Sequence, residues 1–411
     1  MAGIGRRSVL AGAGALAMPA ISYGQTGVIK IGVPTILSGR VALVGVSSVG
    51  GLKTVFEKFN ADGGINGRKI ELVVRDSKGA PQEAAKVTRD LINNAGCTII
   101  IDAEASSASF AVQEVIREMG VLCIHTNSET SSLTADPKLH VPTAFRTARQ
   151  GIHDAIAGGE YAAKVSKAKG LKRWMTCSPD YAYGRDNTAQ FMEYATYFDP
   201  SIKVVEEAWP KLFQPDYTEV VTKVLNANAD AMYSALWGGD LVAFIDQANL
   251  YGLFDKMQSF MVNLGDYGVV DQVKQFPTGV HSGNRYNRTV PPTAENEAWY
   301  QSYLALNRHK PTNWSWENAV AAELVVEALR ETKGDTDGKK LAAAIKGRTI
   351  KSVFGSKGTL TMRAEDHTLI DYIIGFGVSL PQEPFITGFA GADWGPIVDL
   401  ERQWKKKLGY T

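Results

Sequence analysis

The chain has 411 residues, enough for two hydrophobic cores of ordinary size, and its 45% hydrophobic and 21% charged composition is that of a globular protein. A formal charge of +1 excludes the basic excess that a nucleic-acid or membrane-surface protein needs. No low-complexity segment and no clear internal repeat is present.

At the N-terminus, Gly5-Arg6-Arg7-Ser8-Val9-Leu10 precedes a weakly apolar, Gly/Ala-rich stretch from Ala11 to Ala20. Paired arginines, a short apolar region and small residues predict a twin-arginine export signal over residues 1–25. That apolar run is too short to span a bilayer, and no later run of about 20 apolar residues exists. The mature protein is therefore expected to be periplasmic. Cys97, Cys123 and Cys177 are odd in number, never spaced as CxxC, and fall in or beside strands, which predicts buried free thiols, with one bridge still open.

Beyond the signal, Val28 to Val33 reads as a strand and Pro34 to Val49 as a Gly/Ser-punctuated loop. A helix follows, with Leu52, Val55, Phe56 and Phe59 on one face. Lys69 to Asp76 is the next strand and Pro81 to Asn94 the next helix. Then Thr98-Ile99-Ile100-Ile101, short and β-branched, predicts a buried strand. A polar turn from Ala103 to Ser109 follows it, then a helix with Val112, Val115, Ile116 and Met119 on one face, stopped by Gly120. The strand Val121 to Ile124 ends in a second hydroxyl-rich turn, His125 to Thr130. Tandem β-α pairs with short loops predict a parallel, doubly wound sheet. In such sheets a ligand crevice lies at the C-terminal strand ends, where a helix N-terminus offers unpaired N–H groups to an anion. Ser106 and its neighbours are thus candidates for a small-molecule site, against the simpler role of capping a helix.

Near Thr147 the pattern restarts. A helix over Asp154–Lys167 and strands at Arg173–Cys177, Ile202–Val205, Ala231–Leu236 and Ser259–Val262 build a second α/β lobe. Its strands empty into Tyr181-Ala182-Tyr183-Gly184, Trp237-Gly238-Gly239-Asp240 and Asn263-Leu264-Gly265-Asp266. Tyr183 and Trp237, in Gly-containing turns, suit flat walls that stack on a ligand or clasp an ammonium. Asp266, after an apolar strand, requires a cationic partner or solvent: a ligand ammonium, Lys256 or open water. Glu129 competes for the ammonium role, and Glu104 reads as a solvated turn residue. Past Gly279 come helices, then short strands near Lys351–Met362 and Ile370–Val378. From Leu380 the periodicity weakens, and Pro381, Pro384 and Pro396 predict an irregular surface wrap. No G-x-S-x-G elbow, Walker loop, strand-following G-x-G-x-x-G or HExxH appears, and the six His are scattered, so neither an enzyme nor a metal or other cofactor is expected.

Several segments together resemble the periplasmic substrate-binding proteins of branched-chain amino acid-type ABC importers. They are Leu37-Ser38-Gly39 with Gly45, the run Asn60-Ala61-Asp62-Gly63-Gly64-Ile65-Asn66-Gly67-Arg68-Lys69-Ile70, and Arg75-Asp76 followed by Pro81. Ser106-Ser107, Tyr181 to Gly184 and Met362 to His367 add to them, and the Gly-Gly-Ile-Asn-Gly segment is the most specific. The resemblance implies an α/β protein of two doubly wound parallel-sheet lobes joined by three hinge strands, closing on a ligand. Lobe one is expected over 26–147 with 281–361, and lobe two over 148–280 with 362–411. Carried over by position, Ser106 and Ser107 would hold a ligand carboxylate, and Ser128, Glu129 and Thr130 would add polar contacts. Tyr183 and Trp237 would supply aromatic walls and Asp266 an acid for an ammonium. Leu43-Val44-Gly45 and Trp237 depart from the leucine-binder pattern, leaving an amino acid, an aromatic or other organic acid, or an amide as ligand. The partners implied are that ligand and an ABC permease, with the protein a monomer that binds no nucleic acid. A ligand sensor of the same fold is the alternative. Asp366-His367, in a late loop, is expected to be structural.

Overall fold

The computed structural model describes residues 27–410, so the expected export signal lies outside the described residues. The chain begins β1 (Ile29–Thr35), α1 (Leu43–Ala61), β2 (Ile70–Asp76), α2 (Pro81–Asn93), β3 (Ile99–Asp102), α3 (Ser106–Met119), β4 (Leu122–His125), the single turn α4 (Ser132–Ala135) and β5 (Ala144–Arg146). These five strands form one parallel sheet in the order β2-β1-β3-β4-β5. Ile99, Ile100 and Ile101 are wholly buried. Helices on both faces leave no solvated side, which is why a central strand reads as an unbroken apolar run.

The second lobe follows as α5 (Gly151–Lys169), β6 (Arg173–Cys177), α6 (Ala182–Phe198), β7 (Lys203–Ala208), α7 (Thr218–Asn226), β8 (Ala231–Ser234), α8 (Gly238–Leu250), α9 (Leu253–Lys256), β9 (Gln258–Met261), α10 (Tyr267–Val270) and β10 (His281–Gly283). Next come α11 (Ala294–Leu306), α12 (Asn313–Glu331) and α13 (Gly338–Ile345), which pack with α1 and the first sheet. A small antiparallel sheet of β11 (Thr349–Lys351), β12 (Thr359–Met362) and β13 (Leu369–Ile370) precedes β14 (Gly375–Ser379), β15 (Ile386–Gly391) and α14 (Trp394–Leu408). The second sheet runs β15-β14-β10-β9-β8-β6-β7, with β14 antiparallel to both its neighbours and the other pairs parallel. The chain thus passes between lobes three times: before α5, after β10 and before β14. β10, which was expected to open the return to lobe one, pairs instead with β9 and β14 in the second sheet.

Two other expectations are corrected. The segment read as loop up to Val49 is already helix from Leu43. Its glycines mark close approach, since a Cβ on Gly45 would lie 2.3 Å from the Ile36 carbonyl oxygen and one on Gly51 2.0 Å from that of Ser315 in α12. The C-terminal segment is not an irregular wrap, because β15 extends the second sheet and α14 packs on α5. Pro396 falls in the first turn of α14, where its missing N–H costs nothing, and Asp393 caps that turn through Gly395. All three cysteines are free and buried. Asp366 joins Arg363, Glu401 and Lys405 in a buried ion cluster, while His367 stacks on Phe145. Among the described residues no helix is long and apolar enough to cross a membrane.

Candidate functional site

The C-terminal ends of the parallel strands in both sheets face each other across a cleft with about 510 Å³ of space free of protein atoms. On the lobe-one side, β3 delivers the chain through Ala103–Ala105 into α3. The N-cap residue is Ala105, extended at φ −68° and ψ 152°, and it has no side-chain acceptor to offer. Ser106 is the first helical residue, 2% exposed, with its hydroxyl accepting from the Thr130 N–H at 3.4 Å. It therefore does not cap its own helix, and the first-turn amides of α3 meet the cleft without a side-chain partner.

The opposite lobe repeats the arrangement. α8 begins at Gly238 after an extended Trp237, again with no side-chain cap. α10 opens on the same cleft but is capped, with Asp266 Oδ1 accepting from the Gly268 N–H at 2.7 Å. The N-termini of α3 and α8 thus keep their positive ends open on one cavity, the local condition for holding an anion.

Aromatic rings wall the space. Trp237 and Trp314, from opposite lobes, meet edge to face with centroids 6.0 Å apart, and Tyr181 and Tyr183 continue the wall. Tyr183 is held by Asn263, whose amide donates to its hydroxyl at 3.2 Å.

Three carboxyl groups line the cleft, each in a different state. Glu129 is bound to Arg285 through two contacts, 2.7 and 3.2 Å. Burial opposes the Arg285 charge, yet Glu129 and Asp154 together hold its pKa well above the ordinary value. Lys256 donates to the Tyr251 carbonyl and is not the partner of Asp266, which is buried. Its second oxygen accepts from the Asn313 N–H at 2.7 Å, across the lobe boundary. Burial lifts its pKa to about 6 in spite of those two backbone donors. Glu104 is not a solvated turn residue: it is fully buried, and neither carboxyl oxygen makes a hydrogen bond to the protein. Burial, then the charge of Asp102, raises it to about 8, so it is largely a neutral acid at pH 7.

Of the predicted residues, Ser106, Glu129, Tyr183, Trp237 and Asp266 share the cleft lining, whereas Ser107, Ser128 and Thr130 lie outside it. The turn bearing the last two is organised around the buried Arg146, which donates to the carbonyls of Ser128, Thr130 and Ser131. The Thr130 hydroxyl is given to Asp186 of α6 at 3.0 Å, and Ser107 is half-buried on the second helical position. Sequence reasoning did not place Glu104, Asn127, Asn263, Asn313 or Trp314 in the lining, and it named Tyr183 but not Tyr181 as a wall although both line the cleft. Asn127 and Asn263 each follow a buried strand at its C-terminal end, a signal that was available. Asn313 and Trp314 begin α12, behind a Thr312 capping box, and enter the cleft only because the chain returns to lobe one. Among the described residues no cluster of three or more His, Cys, Asp or Glu is placed to hold a metal.

Behind the cleft the three interlobe crossings share one buried ion cluster. Arg149 pairs with Asp154 and lies 4.7 Å over the Tyr372 ring, and Arg285 reaches both Glu129 and Asp154. Each crossing thus contributes a residue: Arg149, Arg285 or Tyr372.

Comparison with known proteins matches residues 28–378 to the model of a family described as periplasmic binding protein. The chain is similar to the Leu/Ile/Val-binding protein homolog 4 of Brucella abortus, 25% identical over 363 residues that cover 82% of this chain and 81% of that protein. It is also similar to the leucine-, isoleucine-, valine-, threonine- and alanine-binding protein of Pseudomonas aeruginosa, 23% identical over 80% of this chain and 85% of that one. Among solved structures, a solute-binding protein of an ABC transporter from Rhodopseudomonas palustris BisB5 in complex with 3,4-dihydroxybenzoic acid superposes with a TM-score of 0.78. It is 24% identical, over 90% of this chain and 99% of that one. An R. palustris solute-binding protein in complex with benzoate superposes with a TM-score of 0.77 at 22% identity, over 89% of this chain and 96% of that one.

Proposed function

This chain belongs to the periplasmic binding protein family, of the branched-chain amino acid type, and on that premise we propose that it is a receptor for a small amino acid or related carboxylate. The ligand's carboxylate rests on the uncapped first turn of α3 at Ser106, the observation that carries the reading. The macrodipole alone contributes roughly 0.3–2 kcal/mol there, and charge-assisted hydrogen bonds from the amides and the Ser106 hydroxyl add to it. An ammonium, where the ligand has one, faces Asp266, whose two protein partners are both backbone N–H groups. Ser107, Ser128 and Thr130 frame this pocket without lining it.

The protein acts in the periplasm after export on its twin-arginine segment, as a non-enzymatic monomer that presents its closed form to an ABC permease. Open and closed forms exchange; ligand docks on lobe one, and contacts from lobe two then favour closure. The wall of Tyr181, Tyr183, Trp237 and Trp314 favours, as a second reading, an aromatic acid in place of an aliphatic amino acid.

A thermal-shift screen with amino acids, aromatic acids and amides tests this, since ligand at 100 times its Kd adds about 2.7 kcal/mol of stability. The expected outcome is a saturable shift confined to carboxylates. Shifts from neutral amides with none from any carboxylate would overturn the reading.

A further inference from the structure

Glu104 lies in the cleft lining directly before Ala105 and Ser106, the residues at which α3 begins. It is fully buried, and neither of its oxygens has a hydrogen-bond partner in the protein. A buried carboxyl group left unpaired is costly, and among the described residues Ser77 is the one hydroxyl near enough to ease that cost. The surroundings of Glu104 oppose ionisation. Asp76 ends β2 and Asp102 ends β3, both adding negative potential, while the His125 ring at the end of β4 is turned to Asp102. The Ser77 hydroxyl, which donates to the Thr35 carbonyl at 3.2 Å, acts the other way on Glu104 and favours its charged form, but burial and Asp102 outweigh it. Glu129, engaged by Arg285, and Asp266, engaged by two backbone amides, are the other acids on the cleft.

We propose that Glu104 is a specificity-determining ligand contact: as a neutral carboxylic acid it donates a hydrogen bond to one oxygen of the ligand carboxylate whose other oxygen sits on the amides at the start of α3. This rests on the proposed binding of a carboxylate and adds the group that reads its second oxygen. An ionised Glu104 would repel that ligand, so binding selects the protonated acid. Above the pKa of the free acid, affinity falls roughly tenfold per pH unit. Asp266, with its pKa near 6, is already ionised over that range and does not contribute to the fall.

Two measurements test this. Difference infrared spectra of the free protein at pH 7, wild type against Glu104→Gln, should show one protonated carboxyl band missing from the variant; its absence in the wild type overturns the proposal whatever the ligand. Calorimetric titration with benzoate and L-leucine from pH 7 to 9.5 supplies the second test. The carboxylate that binds should weaken with rising pH in the wild type. Affinity should become pH-independent in Glu104→Gln, which keeps a neutral donor, and drop at least tenfold in Glu104→Leu. A pH profile unchanged by Glu104→Gln, or full affinity in Glu104→Leu, overturns the role of Glu104 while leaving carboxylate binding intact. Binding of benzamide or benzylamine in preference to both acids overturns the carboxylate reading itself, and the Glu104 contact with it.

Discussion

Asp266 accepts two backbone N–H groups, from Gly268 and from Asn313 across the lobe boundary, and is pushed up to about 6 by burial. An acid raised above its unfolded value of about 3.9 stabilises the fold most below that pH, and the contribution is lost as pH rises to about 6. Asp266→Asn should therefore flatten the fall in stability of the free protein between about pH 4 and 6, an effect of roughly 2–3 kcal/mol in the wild type. Denaturant titrations at a series of pH values check this. The same variant separates the candidate ligands. A ligand whose ammonium meets Asp266 should bind roughly ten- to a hundredfold more weakly, the scale of one charged hydrogen bond. An aromatic acid without an ammonium should bind it as it binds the wild type. Ser106, Trp237 and Asp266 were legible in the sequence because each closely follows an apolar strand at its C-terminal end. Ser128 and Thr130 were not distinguishable from cleft residues, because Arg146, 16 residues beyond Thr130, sets which way their turn faces.

α3 is a helix whose start is left open. Ser, Thr, Asp or Asn is the usual N-cap, and Ala in that place forgoes about 1 kcal/mol. Ala105→Ser should therefore raise stability by about 0.5–2 kcal/mol while weakening carboxylate binding, because the new hydroxyl competes for the same amides. Melting curves and calorimetry on one preparation measure both effects, and a gain in both stability and affinity would contradict the role given to this turn. α1 shows why an element boundary escaped the sequence. Gly45 and Gly51 resemble loop punctuation, yet they sit in the helix where it presses on the Ile36 and Ser315 backbones. α14 escaped because Pro396 reads as a breaker until Asp393 is recognised as the cap that puts it in the first turn.

Across the whole molecule, the alternation of strand and helix makes the two α/β lobes legible, but the order in which the late strands join them is not. β10, three residues long, is too short for its sequence to reveal the partners it takes in the second sheet. The lobes are joined through the buried cluster of Arg149, Asp154, Arg285 and Glu129, and Glu129 reaches the cleft itself, so the joint and the site share a residue. Arg40 of lobe one meets Asp240 of α8, in the other lobe, at 3.5 Å. A partly exposed pair of this kind contributes about 0.2–1 kcal/mol. Arg40→Ala should therefore speed ligand release up to about fivefold in stopped-flow, with the association rate little changed. The most direct test of the whole account is a crystal structure of the protein with the carboxylate that stabilises it most. We predict closed lobes with a carboxylate oxygen within hydrogen-bond reach of the Ser106 or Ser107 N–H. A ligand bound with its carboxylate turned away from α3, or lodged outside the gap between the lobes, would contradict it.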